Sequence, residues 1–310
     1  MKFLITGATG FIGSYLSKFL VDNGHQVIAI TRHITPTLKA EMPAIEWIEG
    51  DMLHSNLPQL KIEADVIIHL AAANDIVSKN AIDGITLSAG GTRNMLQLAV
   101  NNKINRFIFY STLQVYGTEL SGMITEDSTP NCESDYGINH LLAEQYVEMY
   151  ARKFGLHTAI VRPSNIYGEM VASTVNRWTL VPGCFIKSLY ETGNITLLSS
   201  GKQNRNFISL LMLSQQTLQI ANHLHSPFQI YNLASNYYNN IYGIASTTFE
   251  LYKAITGNAA TLEVKSELPL SANQFEISLV KLHSINCRTT ATENELEIEI
   301  EKLIRKFGGK

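Results

Sequence analysis

The chain of 310 residues is sparing with charge. Asp, Glu, Lys and Arg make up 16% of it and the net charge is −3, against a charged share of roughly a quarter in ordinary globular proteins. It has no basic run, which removes the electrostatic case for nucleic acid or an anionic membrane surface. No apolar stretch approaches the ~20 residues that span a bilayer. The first residues enter a strand at once, so no signal peptide is expected. Cysteine is scarce: Cys132, Cys184 and Cys287 are scattered, with no CxxC pair and no partnering histidine spacing. A reduced, cytoplasmic protein is expected. His25, His33 and His157 lack metal-ligand spacing, so no metal is expected. Internal repeats and low-complexity linkers are missing too. What remains is a chain of ordinary hydrophobic content, 45%, long enough for one large core or two lobes.

The strongest pattern lies in the first thirteen residues, MKFLITGATGFIG. A short apolar run over 2–6 reads as a buried strand. Gly7, Gly10 and Gly13 follow at spacing three and three, and residues 11–21 carry apolar side chains at helical spacing. Strand, glycine turn and helix place a helix N-terminus under a pyrophosphate. Gly7 permits the turn, Gly10 lets amides approach phosphate, and Gly13 lets helix and strand pack. A second strand at 25–31 completes the context. The plain alternative is a glycine turn that binds nothing.

Further strands are expected near 45–48, 65–70, 106–110 and 157–162, with helices over 85–101 and 135–154. Near-continuous apolar strands separated by helices mean a parallel sheet covered on both faces. Right-handed crossovers make it doubly wound, a Rossmann arrangement with ligands beyond the carboxyl ends of the strands. The expected division is a dinucleotide-binding half over 1–167, with a returning segment at about 205–232. A smaller α+β lobe is expected over 168–204 and 233–310, with an irregular stretch at 235–242 and a charged amphipathic helix at 293–307.

The glycine motif, HLAAA at 69–73, STLQVYG at 111–117, Tyr136 in YGINH and VRPSNIYG at 161–168 occur in a fixed order. GKQNRNF at 201–207 and YNLAS at 231–235 follow. The set resembles the extended short-chain dehydrogenase/reductases, the NAD(P)-dependent epimerase/dehydratase family acting on nucleotide sugars. The resemblance covers nearly the whole chain and weakens after residue 260. It implies that the pyrophosphate lies on the amides of Phe11 and Ile12, and that Asp51 and Met52 contact adenine. It further implies that Leu70, Ala71, Ala73 and Pro163 line the ribose and nicotinamide. Tyr136 matches the family's acid/base and Thr112 the hydroxyl that orients the sugar oxygen. Asn165 and Arg205 match residues on the nucleotide diphosphate, where an arginine fork gives bidentate hydrogen bonds. The segment VPGCFI at 181–186 looks like the one around the nucleotide base. The plain alternative for Tyr136 is a helix-surface tyrosine.

Several positions depart from the family pattern. YxxxK reads Tyr136-Gly-Ile-Asn-His140. The family's lysine holds the nicotinamide ribose and lowers the tyrosine's pKa. Its charge at ~5 Å is worth about 3 kcal/mol at an effective dielectric near 20, or roughly two pKa units. A histidine of pKa ~6.5 is mostly neutral at pH 7. It can hold a ribose hydroxyl but cannot keep Tyr136 as a phenolate. Oxidation of a sugar needs phenolate; reduction of a keto sugar needs the neutral phenol already present at pH 7. Losing the lysine therefore damages oxidation more. At the end of the second strand, Thr31 and Arg32 stand where NAD-preferring members place an acid, and an arginine there accommodates a 2′-phosphate. Dehydratases follow the catalytic threonine with Asp-Glu; Leu113 and Gln114 do not titrate, so 4,6-dehydration by that route is not expected. Ser88 replaces an asparagine, and apolar residues near Leu211 and Met212 replace an acidic pair.

The expected function is NADP(H)-dependent reduction of a nucleotide-linked 4-keto sugar, with NAD as the alternative cofactor. A nucleotide-sugar 4-epimerase is the nearest alternative, and a non-catalytic dinucleotide-binding sensor comes from a different class. A homodimer is expected.

Overall fold

The computed structural model describes residues 1–266 and 274–309. The tail of the expected second lobe includes residues 267–273 and 310, which lie outside the described residues. Seven strands form one parallel sheet: β1 (Lys2–Thr6), β2 (Gln26–Thr31), β3 (Glu46–Glu49), β4 (Val66–His69), β5 (Arg106–Tyr110), β6 (His157–Pro163) and β7 (Phe228–Leu233). Their spatial order is β3-β2-β1-β4-β5-β6-β7, so the chain reverses direction of growth between β1 and β4. In such a sheet the crevice at that reversal receives the ligand.

Side chains alternate across the strands, and both faces are buried. Phe3, Ile5, Val66, Ile68 and Ile108 face the helices Phe11–Asp22 and Leu210–His223 through Leu16, Leu20, Leu213 and Ile220. Leu4, Ile28, Ile67, Phe107 and Phe109 face the other side, against Met95, Leu98, Val147 and Tyr150. Strands buried on both faces read as unbroken apolar runs, which is why FLI, VII and FIF were legible.

The helix Asp135–Phe154 carries its own boundaries. The Ser134 hydroxyl accepts from Gly137 N, Asp135 sits in the first turn, Arg152 and Lys153 in the last, and Gly155 ends it at φ 70°. These follow the cap and dipole preferences of isolated helices. The helix expected at 85–101 begins earlier: Ala81–Ile85 is α-helical, Thr86–Gly90 is a wider π turn, and Gly91–Asn101 continues. Two groups account for the early start. Asn80 accepts from the amides of Ile82 and Asp83, and Gly84 lies against Asn139.

Beyond β6 the elements are shorter. The strand Asn165–Tyr167 runs parallel to part of Asn204–Ser209, whose other half pairs antiparallel with Tyr238–Asn240. The stretch expected to be irregular at 235–242 thus holds a strand, and Asn240 caps the helix Ile241–Thr256. Tyr167, Ile186, Leu189, Ile244, Leu296 and Ile300 form a separate core here. The last helix, Glu293–Gly308, buries Leu296, Ile300, Leu303 and Ile304 and keeps its charges outward. Among the described residues no helix is long and apolar enough to cross a membrane.

Candidate active site

The glycine turn between β1 and the Phe11–Asp22 helix is built for close backbone approach. Gly7 has φ +74°, and a Cβ there would sit 3.0 Å from Ala71 N. At Gly13 a Cβ would lie 2.1 Å from Gly7 O. Gly10 caps the helix without a side chain, and no acid occupies its first turn. The Phe11 and Ile12 amides therefore open a helix whose positive end has no competing carboxylate in its first turn, which suits a pyrophosphate. Thr6 Oγ1 accepts from Ala71 N at 3.3 Å, tying the turn to the wall formed by Leu70, Ala71 and the buried Ala73. Ser88, in the π turn, accepts from Ala73 N at 3.0 Å. Ser88 thus holds this wall in place.

Tyr136, His140 and Thr112 meet at the carboxyl ends of β4, β5 and β6. Tyr136 and His140 lie one helical turn apart and their rings pack edge to face at 4.6 Å. Thr112 caps the turn Leu113–Tyr116, accepting from Gln114 N at 3.2 Å, and its hydroxyl faces the Tyr136 phenol. Burial raises the phenol's pKa, the Thr112 hydroxyl and Arg177 pull it down, and Asp75 pushes it up again. Arg177 Nη1 lies 3.3 Å from Asp75 Oδ1, so the cation nearest this phenol is already paired. His140 is 4% exposed. Burial pushes its pKa down to about 4, with the Ala73 and Tyr110 carbonyls acting the other way. It is neutral at pH 7, and its Nδ1 is buried without a partner. A neutral ring can offer a sugar hydroxyl a hydrogen bond but no charge. Next to it His69 is fully buried, held between Thr6 at 2.6 Å and Thr92 at 3.1 Å. Burial, and then His140, lower its pKa to about 3. No fixed positive charge occupies the position of the family's lysine.

The other expected residues lie on several elements. Thr31 ends β2, and Arg32 follows it, exposed. Asp51 is exposed and accepts from Leu53 N, while Met52 is buried against Gly91. Pro163 ends β6, opposite Leu233 of β7. Asn165 donates to Asn206 O at 2.9 Å. Arg205 donates to Thr118 O at 3.4 Å and to Gln203 Oε1 at 3.2 Å. Both lie on the paired strands beyond β6, well apart from the glycine turn in the sequence but on the same carboxyl side of the sheet.

Sequence reasoning missed the segment after Gly168. Ser173 N donates to Glu41 Oε2 at 3.1 Å, and Arg177 pairs with Asp75. Met170 and Ala172 share a core with Phe11 of the glycine turn. The segment therefore runs from the β2 side of the crevice to Tyr136. It has no periodicity, and nothing in its sequence marks its partners.

The profile of the NAD dependent epimerase/dehydratase family matches residues 3–234. The Bacillus subtilis (strain 168) protein named "Uncharacterized UDP-glucose epimerase YtcB" is 31% identical over 221 residues, 67% of this chain and 68% of that one. The dTDP-D-glucose 4,6-dehydratase of Mus musculus is 24% identical over 300 residues, covering 92% and 83%. Among solved structures, the UDP-glucuronic acid 4-epimerase from Bacillus cereus in complex with UDP-glucuronic acid and NAD superposes with TM-score 0.82 at 25% identity, covering 99% and 100%. The Rossmann sheet, the glycine turn and these likenesses agree: the chain belongs to the NAD dependent epimerase/dehydratase family.

Proposed function

We propose that this chain reduces a nucleotide-linked 4-keto sugar, with NADPH preferred over NADH. The observation that carries the reading is His140, buried and neutral where the family has a lysine. The dinucleotide, when bound, would supply the hydride that the carbonyl carbon accepts. Tyr136, protonated at neutral pH, gives its proton to the carbonyl oxygen, and Thr112 orients that oxygen. The ketone becomes an alcohol and the phenolate regains a proton from solvent. His140 holds a ribose hydroxyl without ionising the tyrosine. Arg32, exposed at the end of β2, supports the preference for a 2′-phosphate. Asn165 and Arg205 hold the diphosphate of the substrate. The 1–167 half with its returning segment takes the dinucleotide and the rest takes the sugar nucleotide. A second copy of the chain covers Ile82, Ile85, Ile138 and Leu142, which are exposed on two helices that pack together.

A 4-epimerase is the second reading, and the segment after Gly168 favours it. Tethers at Glu41 and Asp75 would retain the cofactor through both hydride transfers of an epimerisation. The B. cereus neighbour, an epimerase with NAD, supports the same reading.

The test is a panel of UDP- and dTDP-linked sugars and 4-keto sugars with NADPH and NADH. Stoichiometric NADPH consumption with a keto sugar supports the reductase. Interconversion of sugars with bound NAD and no net consumption supports the epimerase. Dinucleotide binding without turnover overturns both in favour of a sensor, and equal affinity for NADH and NADPH overturns the cofactor preference.

A further inference from the structure

A chain of buried polar contacts lies behind Thr112 and takes no part in the proton transfer. Ser111 donates its hydroxyl to Glu144 Oε1 at 2.5 Å. Arg162 donates Nε to the same oxygen at 3.0 Å and Nη2 to Oε2 at 2.5 Å. Its Nη1 donates to the Tyr116 hydroxyl at 2.8 Å, which donates in turn to Asn232 Oδ1 at 2.9 Å. Ser111, Glu144, Arg162 and Tyr116 are all buried.

Three elements meet at this carboxylate. Ser111 is the first residue after β5, and its N–H donates to Val161 O of β6 at 2.8 Å. Arg162 is the next residue of β6. Glu144 sits on the Asp135–Phe154 helix, four residues after His140 and eight after Tyr136, so all three project to one side of that helix. The turn that Thr112 caps ends at Tyr116. Glu144 therefore grips the loop just before Thr112, and Arg162 grips it four residues beyond.

A buried ion pair is a poor source of stability, because desolvation offsets the attraction; its best-attested use is to fix a register. A bidentate arginine–carboxylate pair is also geometrically specific. We propose that Glu144, with Arg162 and Ser111, is a positioning unit that sets the Thr112 hydroxyl against the Tyr136 phenol. It rests on the reading of Thr112 and Tyr136 as the groups that hold the sugar oxygen. A misplacement of ~1 Å at a reacting group costs about 100-fold in rate, so the loop needs such an anchor.

Ser111→Ala is the informative variant, because it removes the Glu144 grip on the loop while leaving Glu144 and Arg162 paired. Glu144→Gln would strand a buried guanidinium and confuse positioning with folding. The first measurement needs no turnover. With 3-fluorotyrosine placed at residue 136 in the full chain, the phenol is titrated by fluorine NMR. The Thr112 hydroxyl holds that phenol's pKa down, so its displacement in Ser111→Ala should raise the titration midpoint by about half a unit, a threefold change in ionisation constant. Arg177, Asp75 and neutral His140 also face the phenol, and Ser111→Ala touches none of them. The second measurement is turnover: kcat should fall about tenfold or more at nearly constant KM, with a larger deuterium isotope effect on hydride transfer. Tyr116→Phe, which releases the other grip, should do the same more weakly. An unshifted titration in Ser111→Ala overturns the proposal, as does a lower kcat with an unchanged isotope effect, which means only a smaller folded fraction. If wild type turns over no nucleotide sugar but the titration moves, the proposed reaction fails and the positioning unit stands.

Discussion

The two ends of the dinucleotide crevice are made of different materials. At the glycine turn the contacts are backbone: Gly7, Gly10 and Gly13 leave room, and Phe11 and Ile12 begin the helix that Gly10 caps. At the Tyr136 corner everything depends on side chains, and there the residue that would supply charge is a buried neutral histidine. The first end keeps the family's geometry while the second has lost its fixed cation. A backbone site can hold a phosphate by geometry alone, so under the proposed function cofactor binding is expected to survive a change at residue 140 that alters the direction of the chemistry.

The largest effect should come from damaging the backbone end. A Cβ at residue 13 meets backbone atoms of Gly7 and Ala8, which cannot swing aside. Gly13→Ala is expected to cost about 3 kcal/mol of stability through overpacking and to abolish dinucleotide binding. Denaturant unfolding and NADPH fluorescence titration check both; near wild-type affinity would show that the turn does not cradle phosphate. Next, Tyr136→Phe removes the proton donor and should lower turnover about 10²- to 10⁴-fold while leaving dinucleotide affinity nearly intact. Loss of affinity with turnover per bound cofactor unchanged would dissolve the distinction between the two ends.

A third prediction concerns pH. His69 and His140 are held neutral in the fold, at about 3 and about 4. Below pH 6.5 the unfolded chain takes up protons that these folded sites refuse. Stability therefore falls as pH falls from about 6.5 toward 4, by up to about 1.4 kcal/mol per unit for each histidine. Denaturation midpoints between pH 7.5 and 4.5 test it, and His140→Phe should flatten part of the slope. The smallest effect belongs to Asp75→Asn. It frees Arg177 to act on the Tyr136 phenol, so oxidation near neutral pH should quicken. The gain should stay below about tenfold, because the pair is partly exposed and screened. An unchanged or slower oxidation would remove Arg177 from the electrostatics of the site.

The glycine turn, the apolar strands and the helix over 135–154 were legible because each is a local rule written in neighbouring residues. His140 was legible as a departure for the same reason, since it sits four residues from Tyr136. Depth was not: that His140 is 4% exposed, with its Nδ1 unpartnered, depends on Phe109 packing beside it from a strand far away in sequence. Glu144 repeats the helical spacing of Tyr136 and His140 and offered a signal that went unread. Arg177 and Asp75 offered none, because 102 positions separate them. The early start of the helix at Ala81 was hidden for another reason: a π turn interrupts the apolar period at Thr86–Gly90.

The central claim is that residue 140 sets the direction of hydride transfer through charge. Initial rates in both directions against pH, for wild type and His140→Lys, test it most directly. A lysine there should accelerate oxidation near neutral pH by up to ~100-fold, the two-unit value of a cation ~5 Å from the phenol, and leave reduction much less changed. Wild type should gain oxidative rate as pH rises toward the tyrosine's pKa. Equal acceleration of both directions would contradict the account, because residue 140 would then only position the cofactor.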